Sequence, residues 1–440
     1  MTNTLKSCFL LFITLCFPIT NSFAQTWNPV GSGTNGGIYA MAVYKGNLFV
    51  GGSFKEAGGN SAINIAKWDG AKWSEVGNGM NGNVLCLAEY NGELYAGGEF
   101  TRAGGRIAYH IAKWNGLSWS AVGLGMDTVR NFSVYALKIF KGDLYAAGGF
   151  ENVIGISNSK RIAKWNGTKW TGVNGNMNYA IGSLEVYNDK LYAAGPFSNA
   201  GGNDMKCIAK WNDTTWSAVG AGLNYFEIGA LKTFNNSLYA GGVFSMSGSD
   251  TLKNMAKWDG TKWSQIGGGF DNYVSALEVY NNELFAGGNF KKSNLITLSN
   301  VAKWNGKDWV DIGGGMNNRV GEFVVYNSEL YAGGEFTMAS GRSANYIAKL
   351  ALNNTIKLKK TSTTVSLFPN PTTGIFYVEI PENNSNGKLE IYDLLGKQVF
   401  QSTINSSKTE INLGAELKGI YFYYLTVNSE FVSTGKLVLQ

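Results

Sequence analysis

The chain has 440 residues, 44% of them apolar and 15% charged, a composition that can fill a hydrophobic core and excludes a disordered protein. Its formal net charge of +6 is spread over 37 basic and 31 acidic residues without a basic block, which excludes the usual electrostatic signature of a nucleic-acid binder. Glycine (58), tryptophan (13) and tyrosine (22) are abundant and proline (6) is scarce, a balance that favours short strands joined by glycine turns and predicts an all-β protein.

Residues 1–24 carry Lys6, an apolar run from Cys8 to Pro18, and Ser22-Phe23-Ala24 with small residues flanking a cut before Gln25. This reads as a secretory signal peptide. The run is shorter than the about 18–20 apolar residues a spanning helix needs, so no transmembrane segment is expected. Leu15, directly before Cys16, is too large for lipoprotein processing. The mature chain then keeps only Cys86 and Cys207, which excludes a disulfide framework and a CxxC metal motif.

From Gln25 onward a unit of about 47 residues recurs. Its marker is the series LFVGGSF (48–54), LYAGGEF (94–100), LYAAGGF (144–150), LYAAGPF (191–197), LYAGGVF (238–244), LFAGGNF (284–290) and LYAGGEF (330–336). The longer string ELYAGGEF is identical at Glu93–Phe100 and Glu329–Phe336. Around it lie a V-x-A-L-x-V-Y strand, an IAKW strand and a W-S-x-V-G-x-G-M strand. Turns such as Trp114-Asn115-Gly116 tolerate the positive φ of tight hairpins, so each unit reads as a four-stranded antiparallel meander.

The Trp strand occurs at Trp27, Trp73, Trp119, Trp170, Trp216, Trp263 and Trp309, and the IAKW strand near 68, 114, 165, 211, 258, 304 and 350. The first Trp strand has no IAKW before it and the last IAK has no Trp strand after it. Pairing these two fragments completes a seventh unit and predicts a closed seven-bladed β-propeller over 25–351. Aromatics and glycines that recur in every unit are read as packing, so ELYAGGEF is expected to be packing rather than chemistry. The GG pair and its aromatics resemble kelch-type and other secreted GGxF propeller repeats, a likeness that implies the fold and is nearly silent on activity.

Residues 352–364 read as a polar linker, and 365–440 as a small β-sandwich of alternating strands. Phe368-Pro369-Asn370-Pro371 with Gly374, Asp393, Gly396, Lys397, Gly419, Tyr421 and Lys436 closely resembles the type A C-terminal sorting domain of the type IX secretion system. The chain departs from that pattern in its final Gln440, where a basic residue is usual. The resemblance implies the type IX machinery as a partner. It also implies passage through the periplasm and across the outer membrane, with release or anchoring at the cell surface.

The mature chain has one histidine, His110, which excludes a two-histidine copper site and a histidine-cluster zinc site, and no cofactor is expected. A serine triad would have to use His110, whose counterparts Asn64, Arg161, Cys207, Asn254, Asn300 and Tyr346 suggest a variable polar rim instead. Glu322 occupies a slot where the other units carry Ala40, Cys86, Ala136, Ser183, Ala230 and Ala276, and a charge among small residues near a channel is either functional or merely tolerated.

The GGxF-to-IAKW and GM-to-V connections vary in sequence and share one face; the only sizeable insertion, DTVRNFS at 127–133, lies there too. The expected ligand-binding residues are Arg102, Arg106, His110, Lys291, Lys292, Arg319, Glu322, Arg342 and Tyr346, and their cationic excess predicts an acidic glycan or protein ligand. The favoured reading is an exported monomeric binding module. A carbohydrate-active enzyme working through propeller carboxylates comes second and a structural surface component third.

Overall fold

The computed structural model describes residues 25–127, 133–224, 227–352, 366–380, 387–393, 398–414, 418–427 and 430–440. The expected signal peptide, linker residues 353–364 and most of the 127–133 insertion lie outside the described residues. The described residues form strands and turns with no helix, and the chain divides into two compact units, one of which spans Ala24–Leu352.

Within Ala24–Leu352 the repeat folds into seven separate four-stranded antiparallel sheets. Sheet 1 takes Ile38–Tyr44, Asn47–Gly52, Ile65–Trp68 and Trp73–Glu75 in that spatial order, and the next five follow the same plan. Sheet 7 is built from Val320–Tyr326, Glu329–Gly334 and Ile347–Leu352, and its fourth strand is Gln25–Pro29 from the other end of the unit. That strand runs antiparallel to Ile347–Leu352 with Gln25 opposite Leu352 and Trp27 opposite Leu350. The first strand of each sheet packs against the first strand of the next, and that of sheet 7 against that of sheet 1.

The recurring residues hold neighbouring sheets together. The IAKW and Trp-strand indoles of one sheet lie tilted against each other at 5.1 Å for Trp68 and Trp73 and 5.3 Å for Trp114 and Trp119. Each Trp-strand indole then donates to a carbonyl of the preceding sheet: Trp73 Nε1 to Val30 O at 3.0 Å, Trp119 to Val76 O at 3.0 Å, and Trp27 to Ile312 O at 3.1 Å. The tyrosine that ends a first strand reaches the next tight turn, as Tyr44 Oη to Gly92 O at 3.0 Å, and Tyr326 Oη carries the pattern from sheet 7 to Gly46 O of sheet 1 at 3.2 Å. The second glycine of the GG pair is forced by close approach. A Cβ on Gly98 would lie 2.0 Å from Asn83 O, and one on Gly334 2.1 Å from Arg319 O.

Sheet 6 departs from the rule. Its Trp309 is buried, but its indole N–H has no hydrogen-bond partner, because the side chain of Gln265 donates to the equivalent carbonyl, Ile266 O, at 3.2 Å. Phe270 stands where most repeats carry Met or Leu, and it stacks on Phe290 at 4.1 Å and tilts against Trp309 at 4.9 Å.

The GGxF-to-IAKW segments, expected to be loops, are two-stranded hairpins in six repeats, such as Arg102–Ala103 with Arg106–Ile107. Gly104 and Gly105, at φ 57° and 76°, supply the positive dihedrals of the tight turn. Each segment is anchored by the residue after the GM pair. Asn81 Oδ1 accepts from Thr101 N at 2.8 Å and Arg102 N at 2.7 Å, and Asn35, Asp127, Asn178, Asn224, Asp271 and Asn317 do the same in the other repeats. An Asx side chain that satisfies two consecutive backbone donors fixes such a segment as a local turn would.

The other unit contains a three-stranded sheet, Ser366–Phe368, Ile375–Glu379 and Lys408–Asn412, and a four-stranded sheet, Gln398–Ile404, Gly387–Tyr392, Gly419–Val427 and Glu430–Leu439. Phe376 and Val378 from the first and Leu389, Ile391 and Leu425 from the second belong to one buried core.

Candidate functional site

The cavity that gathers the most varied chemistry in Ala24–Leu352 has a volume of about 480 Å³ and lies where the first strands of the sheets begin. Its position follows from a repeated irregularity. Six of the seven first strands slip register by one residue near their start, for example between Ile38 and Ala40, Val84 and Cys86, and Val320 and Glu322; that of sheet 4 does not. A β-bulge bends the strand and re-aims the extra residue. Tyr39, Leu85, Tyr135, Gly229, Ser275 and Gly321 are these extra residues, and with Gly182 of sheet 4 all seven line the cavity. Asn83, Tyr273 and Arg319, each directly before a first strand, Glu227, which opens one, and Glu99 and Glu335 from the GGEF segments complete the wall with Glu322.

The wall is tied together by side chains of neighbouring sheets. Tyr273 Oη donates to Glu227 Oε1 at 3.0 Å, and both burial and that carboxylate push the tyrosine's pKa up. The Arg319 guanidinium lies over the Tyr273 ring at 5.4 Å, donates through Nε to Ser275 Oγ at 3.4 Å, and pairs with Glu335 at 3.6 Å. Asn83 Nδ2 donates to Glu99 Oε2 at 2.7 Å. Burial, followed by the charge of Glu99, raises the pKa of Tyr135.

Glu322 is partly buried in this wall, and its Oε1 accepts the Phe323 N–H at 3.1 Å. Desolvation pushes its carboxyl up to about 8, with Glu278 adding to the shift and the Phe323 hydrogen bond and Lys232 opposing it. Lys232 and Glu278 are themselves paired across sheets 5 and 6 at 2.5 Å. Burial raises the thiol pKa of nearby Cys86, which leaves it protonated rather than nucleophilic.

Of the nine ligand-binding residues expected from sequence, the structure brings only Arg319 and Glu322 into this cavity. Arg102, Arg106, Lys291, Lys292 and Arg342 are exposed on the hairpin segments; Arg102 donates to Gly105 O and Arg342 to Asn28. His110 is buried rather than rim-exposed, with Nδ1 3.1 Å from Gly98 O, and burial lowers its pKa. Tyr346 packs against the core shared by sheets 1 and 7.

A common cause explains both residues. His110, Tyr346, Asn64, Arg161, Cys207, Asn254 and Asn300 all hold φ between 60° and 67°, so the position is a left-handed corner leading into the IAKW strand. Asn suits it best, and Asn64, Asn254 and Asn300 use their amides to donate to the carbonyl of the following Met or Phe at 2.9–3.0 Å.

The expected acidic partner does not suit a wall in which Glu99, Glu227, Glu322 and Glu335 outnumber Arg319. Sequence comparison of the repeats also passed over Glu99 and Glu335, because they stand inside ELYAGGEF, a string otherwise devoted to packing. The one signal available was that this position reads Ser53, Glu99, Gly149, Pro196, Val243, Asn289 and Glu335 while its neighbours stay constant.

In the other unit, Asn370 Nδ2 donates to Lys436 O at 2.6 Å and its Oδ1 accepts from Val438 N at 2.9 Å, so the Pro-Asn-Pro segment is pinned to the last strand. Gly374 and Gly419 hold φ of 121° and 138°, outside the range of other residues. Tyr421 packs against the core, Lys436 is exposed, and Asp393 directly follows the Gly387–Tyr392 strand, while Gly396 and Lys397 lie outside the described residues.

Residues 366–440 match the family model of the secretion system C-terminal sorting domain. This is a type IX sorting tail, and it directs the chain to secretion and to the cell surface or outer membrane after export. No curated protein sequence matches the chain. Among solved structures it is similar to the extracellular domain of a putative one component system of B. thetaiotaomicron, at 10% identity and a TM-score of 0.46, over 95% of this chain and 58% of that one. It is similar to PorZ, a bacterial surface component of the type IX secretion system of Porphyromonas gingivalis, at 11% identity and a TM-score of 0.37, over 92% of this chain and 65% of that one. A copper-bound fungal alcohol oxidase of the AA5 family is similar at 10% identity and a TM-score of 0.47, over 95% of this chain and all of that one.

Proposed function

We propose that residues 25–351 form a seven-bladed, kelch-like β-propeller carried behind a signal peptide at 1–24 and linked through 352–364 to a sorting β-sandwich at 365–440. In this reading the chain is an exported binding module, and its cavity takes a glycan. One observation carries the proposal. The residue that each repeat contributes at the start of its first strand is Tyr, Leu, Tyr, Gly, Gly, Ser and Gly in turn, although it always follows an Ile or Val and its strand always ends in an aromatic. A scaffold needs no such variety, whereas recognition of one asymmetric ligand does. Tyrosine faces and carboxylate acceptors suit sugar rings and their hydroxyls.

A glycan-array screen with the full secreted chain, repeated with Tyr135→Ala/Tyr273→Ala, tests this reading. We expect binding that the double variant loses at an unchanged melting temperature. Binding that survives the double variant would place the site elsewhere.

Catalysis is a second reading, favoured by Glu322, whose carboxyl at about 8 stays protonated at neutral pH as a general acid must. Glu227 and Glu335 line the same cavity and are candidates for the second carboxylate. Release of reducing ends by the wild type that Glu322→Gln abolishes would establish it.

A further inference from the structure

The two copies of ELYAGGEF put Glu99 and Glu335 at the same position in sheets 2 and 7, yet their partners differ. Glu335 has a cation: the Arg319 guanidinium sits 3.6 Å away while covering the Tyr273 ring at 5.4 Å. Glu99 has the residue equivalent to Arg319, but it is Asn83, a neutral amide at 2.7 Å. Tyr135 lies close enough to Glu99 to be raised by its charge. A carboxylate and a tyrosine therefore stand together twice in one cavity, but only Glu335 is paired with a cation of the cavity wall; Arg161, near enough to Tyr135 to lower its pKa, pairs with Glu151. Carboxylate plus aromatic face is the pairing that recognises organic cations.

Resting on the reading of this cavity as a glycan site, we infer that its ligand is an amino sugar, whose protonated amine is held at Glu99 as Arg319 is held at Glu335. The cavity's about 480 Å³ is within the usual range for a small-ligand site. Glu227, held by Tyr273, adds a second negative charge to the wall, and neither Lys nor Arg other than Arg319 lines it.

The test uses the full secreted chain and two probes, a cationic glucosamine oligosaccharide and its neutral N-acetylated counterpart, titrated calorimetrically in mildly acidic buffer. The amine form should bind roughly tenfold more tightly. Glu99→Gln should erase that preference, weakening the amine form roughly tenfold more than the acetylated probe. Arg319→Gln, which frees Glu335, should strengthen the amine form; Glu99 is exposed and Arg319 partly so, and both variants should melt as the parent does. Equal affinity for the two probes would overturn the amine inference and leave the glycan reading standing, as would a preference that survives Glu99→Gln. Absence of any carbohydrate binding, on these probes and on an array of neutral glycans alike, would overturn both.

Discussion

Every repeat supplies a tryptophan to the outer edge of its sheet and a residue near the start of its first strand to the cavity, and the two sets obey opposite rules. The outer residue is Trp in all seven sheets, buried and mostly bonded to the sheet before it; the cavity residue takes four identities, Tyr, Leu, Gly and Ser, across the seven. The contrast is one of constraint. A tryptophan must fill the same space and meet the same carbonyl in each sheet, and close-packed interfaces tolerate little variation. A bulge residue has a neighbour on its strand side and open volume on the other, so its identity is free to follow the ligand.

The largest expected effect comes from removing the element that sheet 7 borrows from the start of the unit. Deleting residues 25–33 from the secreted chain exposes the Ile347–Leu352 edge and removes Trp27, fully buried and stacked on Phe323. Loss of a buried Trp alone costs about 3–5 kcal/mol. The deleted protein should melt far lower or aggregate on heating, and an unchanged thermal transition would break the closure of sheet 7 by this strand.

A smaller effect tests the packing rule where it already fails. Trp119→Phe strands Val76 O, whereas Trp309→Phe removes an indole N–H that has no partner. Denaturant unfolding should show Trp119→Phe more destabilising by about 1 kcal/mol, the ordinary worth of one hydrogen bond. Equal losses would mean that the bond to the preceding sheet contributes nothing.

A third effect, visible only as the pH rises, belongs to the cavity. Glu322 has a folded-state pKa of about 8 against an ordinary 4.5, because burial disfavours its charge while Glu278 repels it and Lys232 only partly compensates. Below about 4.5 the carboxyl is neutral whether the chain is folded or not. Between there and about 8 only the unfolded chain ionises it, so stability falls as pH rises and then levels off. Glu322→Gln removes that loss. Its melting temperature should match the wild type in acid and rise progressively above it as the pH approaches 8; a constant offset across the range would mean that the group does not titrate in this window.

Much of this architecture was legible in the sequence because packing positions recur. The seven GG-aromatic strands, the Asn-Gly turns and the complementary fragments at 27 and 350 each repeat or complete a pattern, and the structure pairs Trp27 with Leu350. Asn81 and its six counterparts were just as regular, but an Asn or Asp after a methionine looks like ordinary turn composition until its two backbone donors, twenty residues on, are seen. The His110 corner misled in the other direction. Its residues vary because a left-handed backbone, rather than a ligand, sets the requirement. Arg319 and Glu322 were expected and do line the cavity, but the rest of its wall escaped notice: aligning repeats reveals what is shared, and Tyr135, Glu99 and Tyr273 are where the units differ.

The pairing of Gln25–Pro29 with Ile347–Leu352 also orders events in time. Six sheets form from hairpins local in sequence, but the seventh joins residues at the two extremes of the unit, with the backbone of Trp27 bonded to Ser340 across 313 positions. Contacts of such separation are intrinsically slow, because the loop must close before the contact rewards it. An emerging chain therefore keeps its earliest strand waiting until its latest one arrives. A ribosome that stalls or a protease that cuts before Leu352 yields up to six finished sheets and one exposed edge, a species that chaperones and proteases can tell from the completed protein.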